Sequence, residues 1–308
     1  MPIVTTDTPI TSARNAALIE ALSGAYPTIR AEQIGISPFG RPLQAMVIGA
    51  GPRRVLYTAA HHANEWITAY ILLKFAEDFA AALASNGTVY GIPARNIAKA
   101  ATIYLVPLVN PDGVDLVTGA IRPGSVEYAV GRTLADNYPS IPFPDGWKAN
   151  LRGVDLNLQY PAGWLQARDI KFSQGYTRPG PRDFVGRAPL SQPESRALAD
   201  YTEKVDPDLI LAYHTQGKEI YWKFDDIIVP GAESLARDFA RTSGYRLADT
   251  PYESGFAGYK DWFIKTFRRP GYTIEAGLGE NPLPLSQFDE IYRDNLGILT
   301  AAATDLPA

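Results

Sequence analysis

Short apolar runs alternate with amphipathic stretches along most of this chain, and that alternation narrows it to an α/β architecture. RVLYTAA (54–60), ATIYLVPL (101–108), DLILAY (208–213) and GYTIEA (271–276) have strand length and little polar alternation. That is the pattern of buried strands in a mostly parallel or mixed sheet. Helical spacing predicts helices over 12–24, where Gly24 is the stop, and over 65–82, where Ile71, Leu72, Phe75 and Phe79 share a face. Further helices are predicted over 192–204, 232–243, 261–266 and 286–303. Residues 33–49 read as two short strands around the turn Pro38-Phe39-Gly40-Arg41, and 109–113 as a turn cluster. From 118 to 189 Gly, Pro, Arg and aromatic residues dominate and periodicity fades, the mark of functional loops rather than a linker. No repeat divides the sequence, and 308 residues suffice for one large domain, so 1–308 is read as a single unit.

Polar residues collect where the apolar runs end: His61 and His62, Asn110, His214 and Glu275. In open α/β sheets, active sites form beyond such strand ends. The chain has only three histidines, so a histidine-dependent site has few constructions. His62 and Glu65 form an H-x-x-E pair that leaves a strand and enters a helix. Three residues is close to one helical turn, so both side chains can converge on one ion. His214, from a separate strand, can supply the third ligand. Two histidines and a glutamate form a catalytic zinc set with one position open. His61 competes for the ligand role; continued strand geometry would turn it to the opposite face and make it structural. Asp155 can orient a metal-bound histidine or simply brace a turn.

Composition removes other classes. Net charge is −4 with no basic run, which disfavours nucleic acid and anionic membrane surfaces. The absence of cysteine excludes disulfides and thiolate metal sites. No apolar run reaches the ~18 residues of a membrane span. Residues 1–10 lack a basic start and an apolar core, so no signal peptide is visible. Either a cytoplasmic protein or an exported one with its signal removed is compatible with that.

Five segments in order resemble the zinc carboxypeptidase (funnelin) family: AHHANEWI (60–67), NPDG (110–113), GVDLN (153–157), AYHTQ (212–216) and YTIE (272–275). The resemblance implies a single catalytic domain, a three-layer α/β/α sandwich with a central mixed sheet of about eight strands. It also implies one Zn2+ held by His62, Glu65 and His214, with Glu275 as the general base. A narrower likeness, carried by HHANEWIT, WKANLRGVDLNLQYPAGW and TIEAGLGENPLP, is to the γ-D-glutamyl-diamino-acid endopeptidases. These cleave peptidoglycan stem peptides between γ-D-Glu and meso-diaminopimelate. Their frequent LysM wall-binding repeats have no counterpart here.

The departures are informative. Ordinary carboxypeptidases follow the motif asparagine with an arginine that grips the terminal carboxylate. Here Asn157 is kept as a substrate-binding candidate, but Leu158 follows, and an apolar side chain cannot make that ion pair. Arg152 is the best match to the family arginine that polarises the scissile carbonyl. Lys260 falls where the family lines the pocket for the leaving-group side chain, and would favour one ending in a carboxylate. Tyr252 resembles the mobile tyrosine that closes over substrate. The rival readings are an ordinary zinc carboxypeptidase, an acyl-amino-acid deacylase with the same metal set, and a silent peptidoglycan-binding module.

Overall fold

The apolar runs become the parallel centre of a mixed sheet. A computed structural model describes residues 2–304. Its strands are β1 (Ile29–Ile36), β2 (Pro42–Gly49), β3 (Arg53–Ala59), β4 (Thr88–Val89), β5 (Ile92–Pro93), β6 (Ala101–Val106), β7 (Leu209–His214), β8 (Glu219–Tyr221), β9 (Arg246–Ala248) and β10 (Gly271–Glu275). β4 and β5 pair with each other, and the rest form one eight-stranded sheet ordered β1-β2-β6-β3-β7-β10-β8-β9. β6, β3, β7 and β10 run parallel; β2 joins β6, and β8 joins β10, in antiparallel fashion.

The helices are α1 (Ser12–Ala25), α2 (Ile67–Ala84), α3 (Ala94–Ala100), α4 (Pro111–Val117), α5 (Val126–Ala135), α6 (Trp164–Ser173), α7 (Pro193–Val205), α8 (Ala232–Ser243), α9 (Tyr259–Phe267) and α10 (Phe288–Ala303). Alternate residues of a strand face opposite layers. Val55, Tyr57 and Ala59 pack with α1, α2, α8 and α10, whereas Leu56, Ile210 and Ala212 pack with α7 and α9. This is the expected three-layer α/β/α sandwich. Each fully buried Leu, Ile or Phe contributes about 1.5–3 kcal/mol. The two apolar layers therefore outweigh any single polar contact in holding the sheet. Among the described residues, no helix is long and apolar enough to cross a membrane.

Several expectations change. The turn cluster 109–113 is the start of α4. The Asn110 side chain accepts from the Gly113 amide at 3.1 Å, and Pro111 occupies the first turn, where its missing N–H does no harm. Gly113 is required by close approach, because a Cβ there would meet the Ala149 carbonyl oxygen at 2.5 Å. The aperiodic stretch holds α5 and α6, whose outward residues include the exposed apolar Val126 and Leu165, so no clean amphipathic stripe shows. The helix expected from residue 65 starts at Ile67, with Glu65 in a preceding 3-10 turn over 63–65.

Candidate active site

Three parallel strand ends build the site. β3 stops at Ala59; Ala60 takes φ 51°, in the left-handed region, and swings the chain out of the strand. His62 follows in extended conformation at the head of the 63–65 turn, which carries Glu65. His214 is the last residue of β7, and Glu275, the last of β10, is its register partner. The geometry thus gathers from distant parts of the chain what the sequence spacing could only suggest.

Ligating atoms of His62, Glu65 and His214 lie within 4.8 Å of one another, and all three residues are buried. Nδ1 of His62 is 2.9 Å from Glu65 Oε1, Nδ1 of His214 is 2.9 Å from Glu65 Oε2, and the two Nδ1 atoms are 3.2 Å apart. Donors bound to one tetrahedral zinc at ~2.0–2.2 Å stand ~3.3 Å from each other. The donor types and their convergence therefore fit a zinc ion. Nε2 of His62 faces Asp155 Oδ1 at 3.2 Å. With a proton on Nε2 donated to that carboxylate, Nδ1 keeps its lone pair for a metal. Burial by itself would raise both carboxyls. His62 and Lys148 outweigh it, and hold Glu65 and Asp155 below the usual carboxylate range.

Glu275 is half-buried at the same rim. Burial, and next the negative charge of Glu65, pushes its carboxyl up to about 8. A carboxyl tuned towards neutrality is suited to exchange protons. His61 does not join this group. Its ring is fully buried and stacks on His214 at 5.4 Å between ring centres, with Tyr259 at 5.5 Å on another side. Burial, then the neighbouring His214 and His62, hold it well below the usual imidazole range, so it packs as a neutral ring. A cavity of about 1040 Å³ opens over the His62–Glu65–His214 cluster and Glu275.

A family model for zinc carboxypeptidases matches residues 16–297. The chain belongs to the zinc carboxypeptidase family. Gamma-D-glutamyl-L-diamino acid endopeptidase 1 of Lysinibacillus sphaericus is 44% identical over 285 residues, which is 92% of this chain and 69% of the relative. Thrombin activatable fibrinolysis inhibitor superposes with a TM-score of 0.76 at 18% identity, over 98% of this chain and 76% of that one. Carboxypeptidase A of Helicoverpa armigera gives 0.71 at 18%, over 98% and 75%. At such identity these two structures speak for the fold. Family membership makes this chain a zinc metallopeptidase.

Of the other residues expected to serve this zinc peptidase, two line the cavity. Asn157 lines it and accepts a hydrogen bond from the Tyr259 amide at 3.0 Å. Lys260 is buried in the wall rather than solvated at a helix start; its Nζ donates to the Lys223 carbonyl at 2.6 Å and sits 2.5 Å from Asp261 Oδ1. Tyr252 is exposed beside the rim, where its hydroxyl accepts from Gln166 Nε2 at 3.0 Å, and its neighbours Pro251 and Ser254 line the cavity instead. Arg152 is exposed and is not part of the cavity wall. The Asn150 side chain closes that turn by accepting from the amides of Arg152 and Val154, each at 3.1 Å, and Gly153 at φ +71° completes it.

The cation against Glu65 is Lys148, a residue that no motif of the sequence singles out. Its Nζ is 3.1 Å from Glu65 Oε1. Lys148 lies in the quoted WKAN segment, but no periodicity or spacing distinguishes a loop lysine there. The backbone does the placing: the Ala63 amide donates to the Lys148 carbonyl at 3.0 Å, and Asn110 Nδ2 donates to the Ala149 carbonyl at 3.0 Å.

Proposed function

We propose that this enzyme hydrolyses the amide bond between γ-D-Glu and meso-diaminopimelate, or lysine, in bacterial peptidoglycan stem peptides. In this reading residues 1–308 act as one catalytic domain with a single zinc on His62, Glu65 and His214. The observation that carries it is Leu158. That side chain is buried among Trp164, Ala167, Val185 and Ala257, so the position that would grip a C-terminal carboxylate is part of an apolar cluster. The 44% identity to a gamma-D-glutamyl-L-diamino acid endopeptidase supports the same substrate class.

A zinc ion bound here supplies Lewis acidity and makes water nucleophilic near neutral pH. Glu275 takes the proton of the attacking water and delivers it to the leaving amine. The Lys148 ammonium, held beside Glu65, faces charge developing on the carbonyl oxygen, the role the sequence suggested for Arg152. Asp155 keeps His62 in one tautomer. Asn157 orients the substrate backbone, Lys260 meets the distal carboxylate of the diamino acid, and Tyr252 closes over the rim.

Incubation of the zinc-loaded protein with L-Ala-γ-D-Glu-meso-diaminopimelate should release free diaminopimelate and L-Ala-D-Glu, identified by mass. Hippuryl-type carboxypeptidase substrates should be turned over slowly. The opposite preference would return the protein to the ordinary carboxypeptidases.

A further inference from the structure

The cavity wall carries a further cation, Arg182, that the reaction described above does not use. Three backbone segments lie side by side there. The Ala63 amide donates to the Lys148 carbonyl at 3.0 Å, and the amides of Lys148 and Ala149 both donate to the Pro181 carbonyl at 2.8 Å. The order along the wall is therefore the His62–Glu65 segment, then Lys148, then Arg182. The Asp183 amide also donates to Asp155 Oδ2 at 3.3 Å, which ties the third segment to the carboxylate behind His62.

The charges around Arg182 leave it in surplus. Asp183 is already paired, through Oδ1, with the buried Lys171 ammonium at 2.8 Å. Arg182 reaches Asp183 Oδ2 only with Nε, at 2.5 Å, which fixes the guanidinium. Its two Nη groups have no protein partner among the described residues, and its side chain is 41% exposed into an open cavity. A planar fork, anchored at one nitrogen and free at the other two, is built to take a carboxylate in two parallel hydrogen bonds.

We propose that Arg182 binds the free α-carboxylate of the γ-linked glutamate and so selects γ-glutamyl over ordinary α-peptide bonds. The inference rests on the substrate class proposed above. In a γ-glutamyl amide the acyl carbon is the side-chain carbonyl. The α-carboxylate therefore hangs from the same residue, four bonds from the bond that breaks. An α-linked residue offers an anion at that distance only when it is itself a glutamate, and its amino group then lies beside the scissile carbonyl rather than beside the carboxylate. A carbonyl placed between the metal ligands and Lys148 puts the carboxylate one backbone segment further along the wall, at Arg182.

The test uses the zinc-loaded wild type and Arg182→Gln with two substrates, L-Ala-γ-D-Glu-meso-diaminopimelate and its analogue in which the glutamate α-carboxylate is a carboxamide. The wild type should prefer the carboxylate, and Arg182→Gln should lower the kcat/KM ratio of the two substrates ~10–100-fold, as loss of a hydrogen-bonded charge pair does. Binding of L-Ala-D-Glu, measured by calorimetry, should weaken by a similar factor, while an unchanged melting temperature shows that the variant is folded. A ratio near one in the wild type, or a ratio that Arg182→Gln leaves in place, overturns the role of Arg182 and leaves the proposed function standing. Cleavage of neither peptide by the wild type removes the proposed function, and this inference with it.

Discussion

Lys148 and Arg152 belong to one loop yet meet different surroundings. Lys148 is drawn against Glu65 and the cavity, whereas Arg152 is exposed, outside the cavity wall, in the turn that Asn150 closes. If the Lys148 ammonium stabilises the developing oxyanion, Lys148→Ala should lower kcat ~10²–10³-fold with zinc content unchanged. Arg152→Ala, measured alongside, should stay within about twofold of the wild type, on the same scale of reasoning. Equal losses would return the role to Arg152. Glu275→Gln, which removes the proposed base but none of the proposed ligands, should cost ~10²–10⁴ in kcat while the protein still binds zinc. Loss of the metal in that variant would mean that Glu275 ligates it.

At the scale of elements, the loop over 148–154 is fixed by the first turn of α7. Asn150 Nδ2 donates to Gln192 Oε1 at 3.1 Å and to the two carboxyl oxygens of Glu194 at 3.2 and 3.3 Å. Glu194 is fully buried, and burial, with Asp112 adding to it, pushes its carboxyl up to about 8. The folded protein therefore keeps this proton up to about pH 8, whereas the unfolded chain loses it near 4.5. Because the folded state binds the extra proton, this residue makes stability fall as pH rises through that window. Glu194→Gln keeps the shape and the acceptor without the charge. Its melting temperature should gain on the wild type between pH 5 and pH 8, by the equivalent of a few kcal/mol at most. A difference between the two proteins that does not change with pH would show that Glu194 ionises freely in the fold.

Across the whole molecule, the site is a rim of a sheet whose two apolar layers do not depend on it. Chelation should abolish hydrolysis, leave far-UV circular dichroism intact and lower the melting temperature by only ~a few degrees; added zinc should restore turnover. Unfolding on chelation would show that the metal holds the fold. By itself the sequence determined the sandwich, because four apolar strands and the helices between them can bury their faces in few other ways. It also narrowed the donor types of the candidate metal cluster, since beside the H-x-x-E pair only His61 and His214 remained as histidines. It did not reveal α5 and α6, whose outward faces carry apolar residues, or the helix begun by Asn110 and Pro111, which reads equally as a turn. Only the tertiary structure decided which cation lies against Glu65. Lys148, Arg152 and Arg182 carry the same charge in stretches without periodicity. Lys148 and Arg182 are placed by backbone hydrogen bonds between segments far apart in the chain, through Ala63 and Pro181, and Arg152 by the turn that the Asn150 side chain closes. Local sequence carries no record of such pairings.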